Sequence, residues 1–162
     1  MPGAAPVLHV AGWASWRTTG HHDGPRYSIM ALNPAWVANR AAGLVHVLAP
    51  QREEVVDLRL LLAARQVGAP PDHGLLARYR GRLEARWEVA LAEGYLSPGS
   101  LHYTPARGAG RFKHWYPVGG TGTLCCTCSV AHARAAQCHR AWAVPFLRRA
   151  GWRVVLDGDP VP

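Results

Sequence analysis

Acidic residues are missing from a long stretch of this 162-residue chain: no Asp or Glu lies between positions 94 and 156. Cysteine is missing everywhere except between 125 and 138, and Lys113 is the only lysine among 18 basic residues. No apolar run nears the roughly 18–20 residues of a membrane span, so no membrane partner is expected. The start, Met1-Pro2-Gly3-Ala4-Ala5-Pro6, lacks the basic region and long apolar core of a secretory signal. Thiols confined to so short an interval cannot staple distant parts of a chain, which excludes a disulfide framework. The expected location is therefore a reducing, cytoplasmic compartment. Paired carboxylates and a G-x-S-x-G elbow are absent too, leaving glycosidase and serine-hydrolase chemistry without support. Gly119-Gly120-Thr121-Gly122 precedes a strand and has no P-loop lysine, so it reads as a turn.

What is present is unevenly charged. The chain carries a formal net charge of +8. Residues 1–93 hold 10 Arg against 8 acids, whereas residues 94–156 hold 8 basic residues against none. The basic excess thus shares its segment with all four cysteines. That placement points to an anionic ligand, a nucleotide or nucleic acid.

Apolar patterning predicts a single α/β domain over residues 1–162, a compact three-layer sandwich with a mainly parallel sheet. Strands are expected at 7–13, 27–32, 44–48, 123–127 and 152–156. Helices are expected at 53–66, where Val55, Val56, Leu58, Leu60, Leu61 and Leu62 suggest a buried element, and at 74–93. The second has an amphipathic stripe of Leu75, Leu76, Tyr79, Leu83, Trp87 and Leu91. Asp72 or His73 begins it and Gly94 ends it. A third helix spans about 135–150. Residues 94–121 read as a long basic loop, and 15–25 as a loop carrying His21 and His22.

The chemistry concentrates in Leu124-Cys125-Cys126-Thr127-Cys128-Ser129 and, further on, Cys138-His139-Arg140. Neighbouring strand residues face opposite sides, so Cys125 and Cys126 cannot share one role, whereas Cys126 and Cys128 can. Cys138 and His139 open the last helix, whose N-terminal amides favour an anion and lower a thiol pKa, as does Arg140. Cys126, Cys128, Cys138 and His139 together form a soft tetrahedral donor set for zinc or iron. Alternatively, Cys126 or Cys138, beside His139 and Arg140, provides a reactive thiolate, giving these four residues a catalytic role. The same side chains also suit plain packing in a core. Arg107, Arg111, Lys113 and His114, interleaved with Trp115 and Tyr116, are the candidate contacts to a phosphate-bearing ligand. A non-catalytic nucleic-acid-binding module using residues 94–156 is the competing reading.

The strand ending in Leu124-Cys125-Cys126, followed by Cys138-His139-Arg140 and a helix, resembles the family called domain of unknown function 488. Tyr27-Ser28-Ile29 with Asn33-Pro34-Ala35-Trp36, Leu48-Ala49-Pro50, and the Tyr79–Trp87 stretch are similar to further parts of that family. The resemblance covers about residues 27–157. It implies a small α/β domain with the Cys/His/Arg cluster as its site, and it implies no particular reaction. Cys125 and Cys128 are thiols beyond the family pattern, and they strengthen the expectation of a metal.

Overall fold

The structure is a computed structural model that describes residues 3–13, 24–31, 33–105, 113–115, 122–128 and 138–162. In chain order the elements are β1 (Val7–Gly12), β2 (Arg26–Ser28), α1 (Ala35–Arg40), β3 (Gly43–Leu44) and α2 (Glu53–Gln66). There follow α3 (His73–Ala92), β4 (Leu101–Pro105), β5 (Lys113–Trp115) and β6 (Thr123–Cys126). The chain closes with α4 (His139–Arg149), β7 (Arg153–Leu156) and β8 (Asp159–Pro160).

The strands lie in the order β5-β4-β3-β2-β6-β1-β7-β8. The inner pairs β3–β2, β2–β6, β6–β1 and β1–β7 are parallel, while β4, β5 and β8 add antiparallel edges. The α/β class and the mainly parallel sheet therefore form as the patterning predicts. Leu8, Val10 and Leu124 at the sheet centre are fully buried, each contributing about 1.5–3 kcal/mol through removal from water. Helix α3 packs against α4, and α2 packs against α3. Among the described helices, only the short α1 joins the second core of Trp13, Val37, Ala41 and Cys125.

Helix α3 keeps its predicted start and stop. Asp72 Oδ1 accepts from the Leu75 amide at 3.0 Å, and Gly94 takes a positive φ of 80° just beyond the helix end. Its buried residues Tyr79, Leu83, Trp87 and Ala90 recur at helical spacing along one face.

Other expectations need correction. Residues 44–48 do not continue as a strand: β3 stops at Leu44, and the amides of Leu48 and Ala49 turn back to the carbonyls of Val45 and His46. Val45 and Leu48 are both buried, a three-residue spacing that suits a turn and not a pleat. The long loop 94–121 contains a hairpin, β4–β5, whose β4 also pairs with β3.

Helix α2 has the predicted bounds but not the predicted core. Its fully buried residues are Glu54 and Asp57, while Val56 and Leu60 are more than half exposed. Charge pairing explains the inversion. Asp57 receives Arg78 at 2.8 Å and Arg82 at 3.2 Å, and Glu54 receives Arg86 at 2.8 Å, so α2 is held to α3 by ion pairs. In addition, no helix among the described residues is long and apolar enough to cross a membrane.

Gly43 occupies the tightest point of the β3–β4 contact. A Cβ there would stand 2.5 Å from Tyr103 Cδ2 and 2.7 Å from the Thr104 carbonyl oxygen. The ring can shift, but the backbone carbonyl must move with its strand. Gly43→Ala is expected to lower unfolding free energy by about 1–3 kcal/mol in chemical denaturation. Wild-type stability in that variant would contradict the tight approach.

Candidate metal centre

The site forms beyond the carboxyl end of β6, near the middle of the sheet, where ligands gather in parallel α/β folds. Adjacent residues of β6 point to opposite faces. Cys125 packs with Trp13, Val37 and Ala41, and Cys126 joins the main core with Cys138. The two neighbouring thiols therefore have separate roles, as alternation predicts. The strand ends at Cys126, yet the following turn still carries Cys128 back toward it.

Cys138 arrives from the other side as the N-cap residue of α4. It makes no side-chain capping hydrogen bond, which leaves its sulfur available to the cluster. Cys126 Sγ and Cys138 Sγ lie 3.4 Å apart, well beyond a disulfide bond of about 2.05 Å. The sulfurs of Cys126, Cys128 and Cys138 all lie within 4.8 Å of one another. Thiolates sharing one zinc ion with Zn–S bonds of about 2.3 Å stand about 3.8 Å apart, so little movement is needed to close on an ion.

Arg140 organises the cluster. Its side chain has no solvent exposure. Nη1 donates to Cys126 Sγ at 3.1 Å and to the Cys128 carbonyl oxygen. Nη2 donates to both carboxylate oxygens of Asp157, at 3.0 and 3.1 Å. Asp157 is buried just after β7 and adopts a positive φ of 48°. The sequence reading missed this partner. The signal was available, since Asp157 is the first acid after the acid-free segment.

Protonation within the cluster is divided. Burial pushes Cys125 up to about 12 and Cys126 up to about 11. Cys138 is also raised, first by hydrogen bonding with Cys126 and Cys128 and then by burial. Cys128 alone falls well below the usual thiol range. The cause is chiefly hydrogen bonding from Cys126 and Cys138, with the charge of Arg65 assisting.

His139 stands beside the cluster but is not one of its grouped ligands. Its Nε2 lies 2.8 Å from the Ile29 carbonyl oxygen. A carbonyl can only accept, so Nε2 carries the proton. Burial lowers the His139 pKa and keeps the ring neutral. The residue ties the start of α4 to the end of β2, a structural role the sequence reading had not separated from ligation.

A cavity of about 300 Å³ opens between α2 and α3 onto Cys128, Cys138 and His139. Leu58, Leu61, Leu62, Leu75 and Leu76 supply most of its apolar wall. Tyr79 also lines it, a residue that its helical spacing marks only as core.

Of the expected phosphate contacts, only Lys113 and His114 lie among the described residues. Arg107 and Arg111 lie outside the described residues, as do His21 and His22. Lys113 and His114 form part of β5 on the far edge of the sheet from β7 and β8. Two further cations of the basic segment are engaged internally: Arg140 with Asp157, and Arg149 with Glu88 at 2.7 Å. The net charge of residues 94–156 therefore overstates the positive surface it presents.

No protein-family model, no curated protein and no solved structure matches the chain.

Removing the carboxylate strands a buried cation. Asp157→Ala is expected to cost about 3–5 kcal/mol of stability in urea or thermal unfolding. An Arg140→Met, Asp157→Leu double variant, which removes both charges, should recover most of that loss. A fully stable Asp157→Ala protein would contradict the buried pair.

Proposed function

We propose that the chain binds one soft metal ion, zinc or iron, through Cys126, Cys128 and Cys138, leaving a fourth coordination position for a ligand. The observation that carries this reading is the convergence of three sulfurs within 4.8 Å from a strand end, a turn and a helix N-cap. Three thiolates on a divalent ion leave a net charge of −1. Arg140, already donating to Cys126 Sγ, offsets that charge at the site. Cys128 is the half-buried member of the three, so it offers the entry point for a metal.

The resemblance to domain of unknown function 488 supports the same location, because its Leu-Cys and Cys-His-Arg elements fall on Cys126, Cys138, His139 and Arg140. Within this reading Arg140 positions the sulfurs and His139 holds the helix start. An open fourth position would allow a bound water or substrate to be activated, which is the form a catalytic role would take here. A phosphate-bearing ligand, nucleotide or nucleic acid, is supported by the charge of residues 94–156 alone.

Protein purified anaerobically, or reconstituted with Zn(II) or Fe(II), should contain about one metal equivalent per chain. Cys126→Ser and Cys138→Ser should lose it. Cys125→Ser, which alters the thiol on the opposite face, should retain it. Absence of metal after reconstitution would contradict the proposal, as would equal loss in the Cys125→Ser variant.

A further inference from the structure

The three sulfurs are unequally reachable, and a metal ion alone does not account for that. Cys126 is buried at the end of β6, and its sulfur accepts a hydrogen bond from Arg140. Cys128 is only half-buried, and it lines the α2–α3 cavity together with Cys138. Two of the three thiol residues therefore face a route from outside.

That route selects by polarity. Leu58, Leu61, Leu62, Leu75 and Leu76 wall a space of about 300 Å³. An apolar cavity of about 150 Å³ suffices for benzene, so this one admits a molecule on the order of ten non-hydrogen atoms. Its charged lining residues do not call for a charged guest. Asp72 is turned to the Leu75 amide as the α3 cap, and Arg65 is exposed to solvent. The suitable visitor is neutral, with an apolar body and an end that sulfur can attack.

The nature of that end follows from what neighbouring thiols do together. A sulfur that takes up an oxygen atom becomes a sulfenic acid, and a second thiol beside it condenses with it to a disulfide. The pair needs one reachable sulfur and one close partner. Cys128 is the reachable one. Cys138 shares the cavity, its sulfur lies within 4.8 Å of that of Cys128, and it makes no side-chain capping hydrogen bond. Side-chain rotation can bring such a pair to the bond length of about 2.05 Å. Cys126 is the poorer partner, because Arg140 holds its sulfur at 3.1 Å.

We infer that Cys128 reduces an apolar organic hydroperoxide entering through the α2–α3 cavity, and that Cys138 then closes on it as a disulfide. In the first step the Cys128 sulfur attacks the outer oxygen of the hydroperoxide. The O–O bond breaks, the thiol proton passes to the departing alkoxide, and the products are the Cys128 sulfenic acid and an alcohol. In the second step the Cys138 sulfur attacks the Cys128 sulfur. The S–O bond breaks, and the oxygen leaves as water with the Cys138 proton. The two cysteines together lose two electrons, and the hydroperoxide gains them. The reaction uses sulfurs of the proposed metal site but needs no ion.

The reduced full chain, without added metal, is treated with one equivalent of cumene hydroperoxide, alkylated and mapped by peptide mass spectrometry. A Cys128–Cys138 disulfide is expected, with Cys125 and Cys126 alkylated and one alcohol molecule formed per chain. Cys138→Ser should stop at the sulfenic acid, which dimedone traps on Cys128. Hydrogen peroxide lacks the apolar body and should react about tenfold more slowly or worse. The inference is overturned if no disulfide forms, or if the bridge joins another pair. It is equally overturned if dimedone labels Cys128→Ser as strongly as Cys138→Ser, or if hydrogen peroxide reacts as fast as cumene hydroperoxide. Metal content after reconstitution, measured on untreated samples, reports separately on the metal site, so either proposal can fail alone.

Discussion

A buried guanidinium must be neutralised where it sits, and in this protein that need fixes the geometry of the site. Arg140 is wholly enclosed. Its Nη2 meets Asp157 after β7, and its Nη1 meets the sulfur of Cys126 and the carbonyl of Cys128. Two other segments of the chain are thereby tied to the first turn of α4, where Cys138 is the cap. Burying an unpaired cation would cost far more than a fold of this size can spare. The sulfurs are therefore brought together by the same contacts that make Arg140 tolerable. A cation at this point also favours thiolates, so the structural requirement and the proposed metal chemistry reinforce each other.

Much of this was legible from residue patterns, with physical limits that can be named. Apolar, β-favouring runs gave β1, β6 and β7, and the Leu75–Leu91 stripe with Asp72 and Gly94 gave α3 within a residue or two. The clustering of cysteines located the site, and alternation separated Cys125 from Cys126. Elements of two or three residues, such as β3 and β8, carry too few side chains for any period to show. The interior of α2 was misread because hydropathy cannot foresee that Arg78, Arg82 and Arg86 would draw Asp57 and Glu54 inward. His139 was grouped with the cysteines because sequence adjacency hides direction, and its ring is committed to the carbonyl of Ile29 just beyond β2. Nothing in the chain marks Tyr79 as more than a core aromatic, although it also lines the cavity beside the cysteines.

The inversion in α2 has a functional consequence. A helix that pins itself through acids leaves its leucines free to wall a cavity, and that cavity reaches the sulfurs. Apolar walls and the sulfur-bearing residues Cys128 and Cys138 then share one cavity. The net charge of the chain, by contrast, says less than it first suggests. The most central of its cations, Arg140, neutralises the interior and does not face solvent.

The central claim is that three sulfurs and no imidazole hold the ion. X-ray absorption spectroscopy of the zinc-loaded protein tests it most directly. The account predicts three sulfur scatterers at about 2.3 Å and one lighter scatterer at about 2.0–2.2 Å, without the outer-shell pattern of a bound histidine ring. Two sulfurs or fewer, or an imidazole signature from His139, would contradict it.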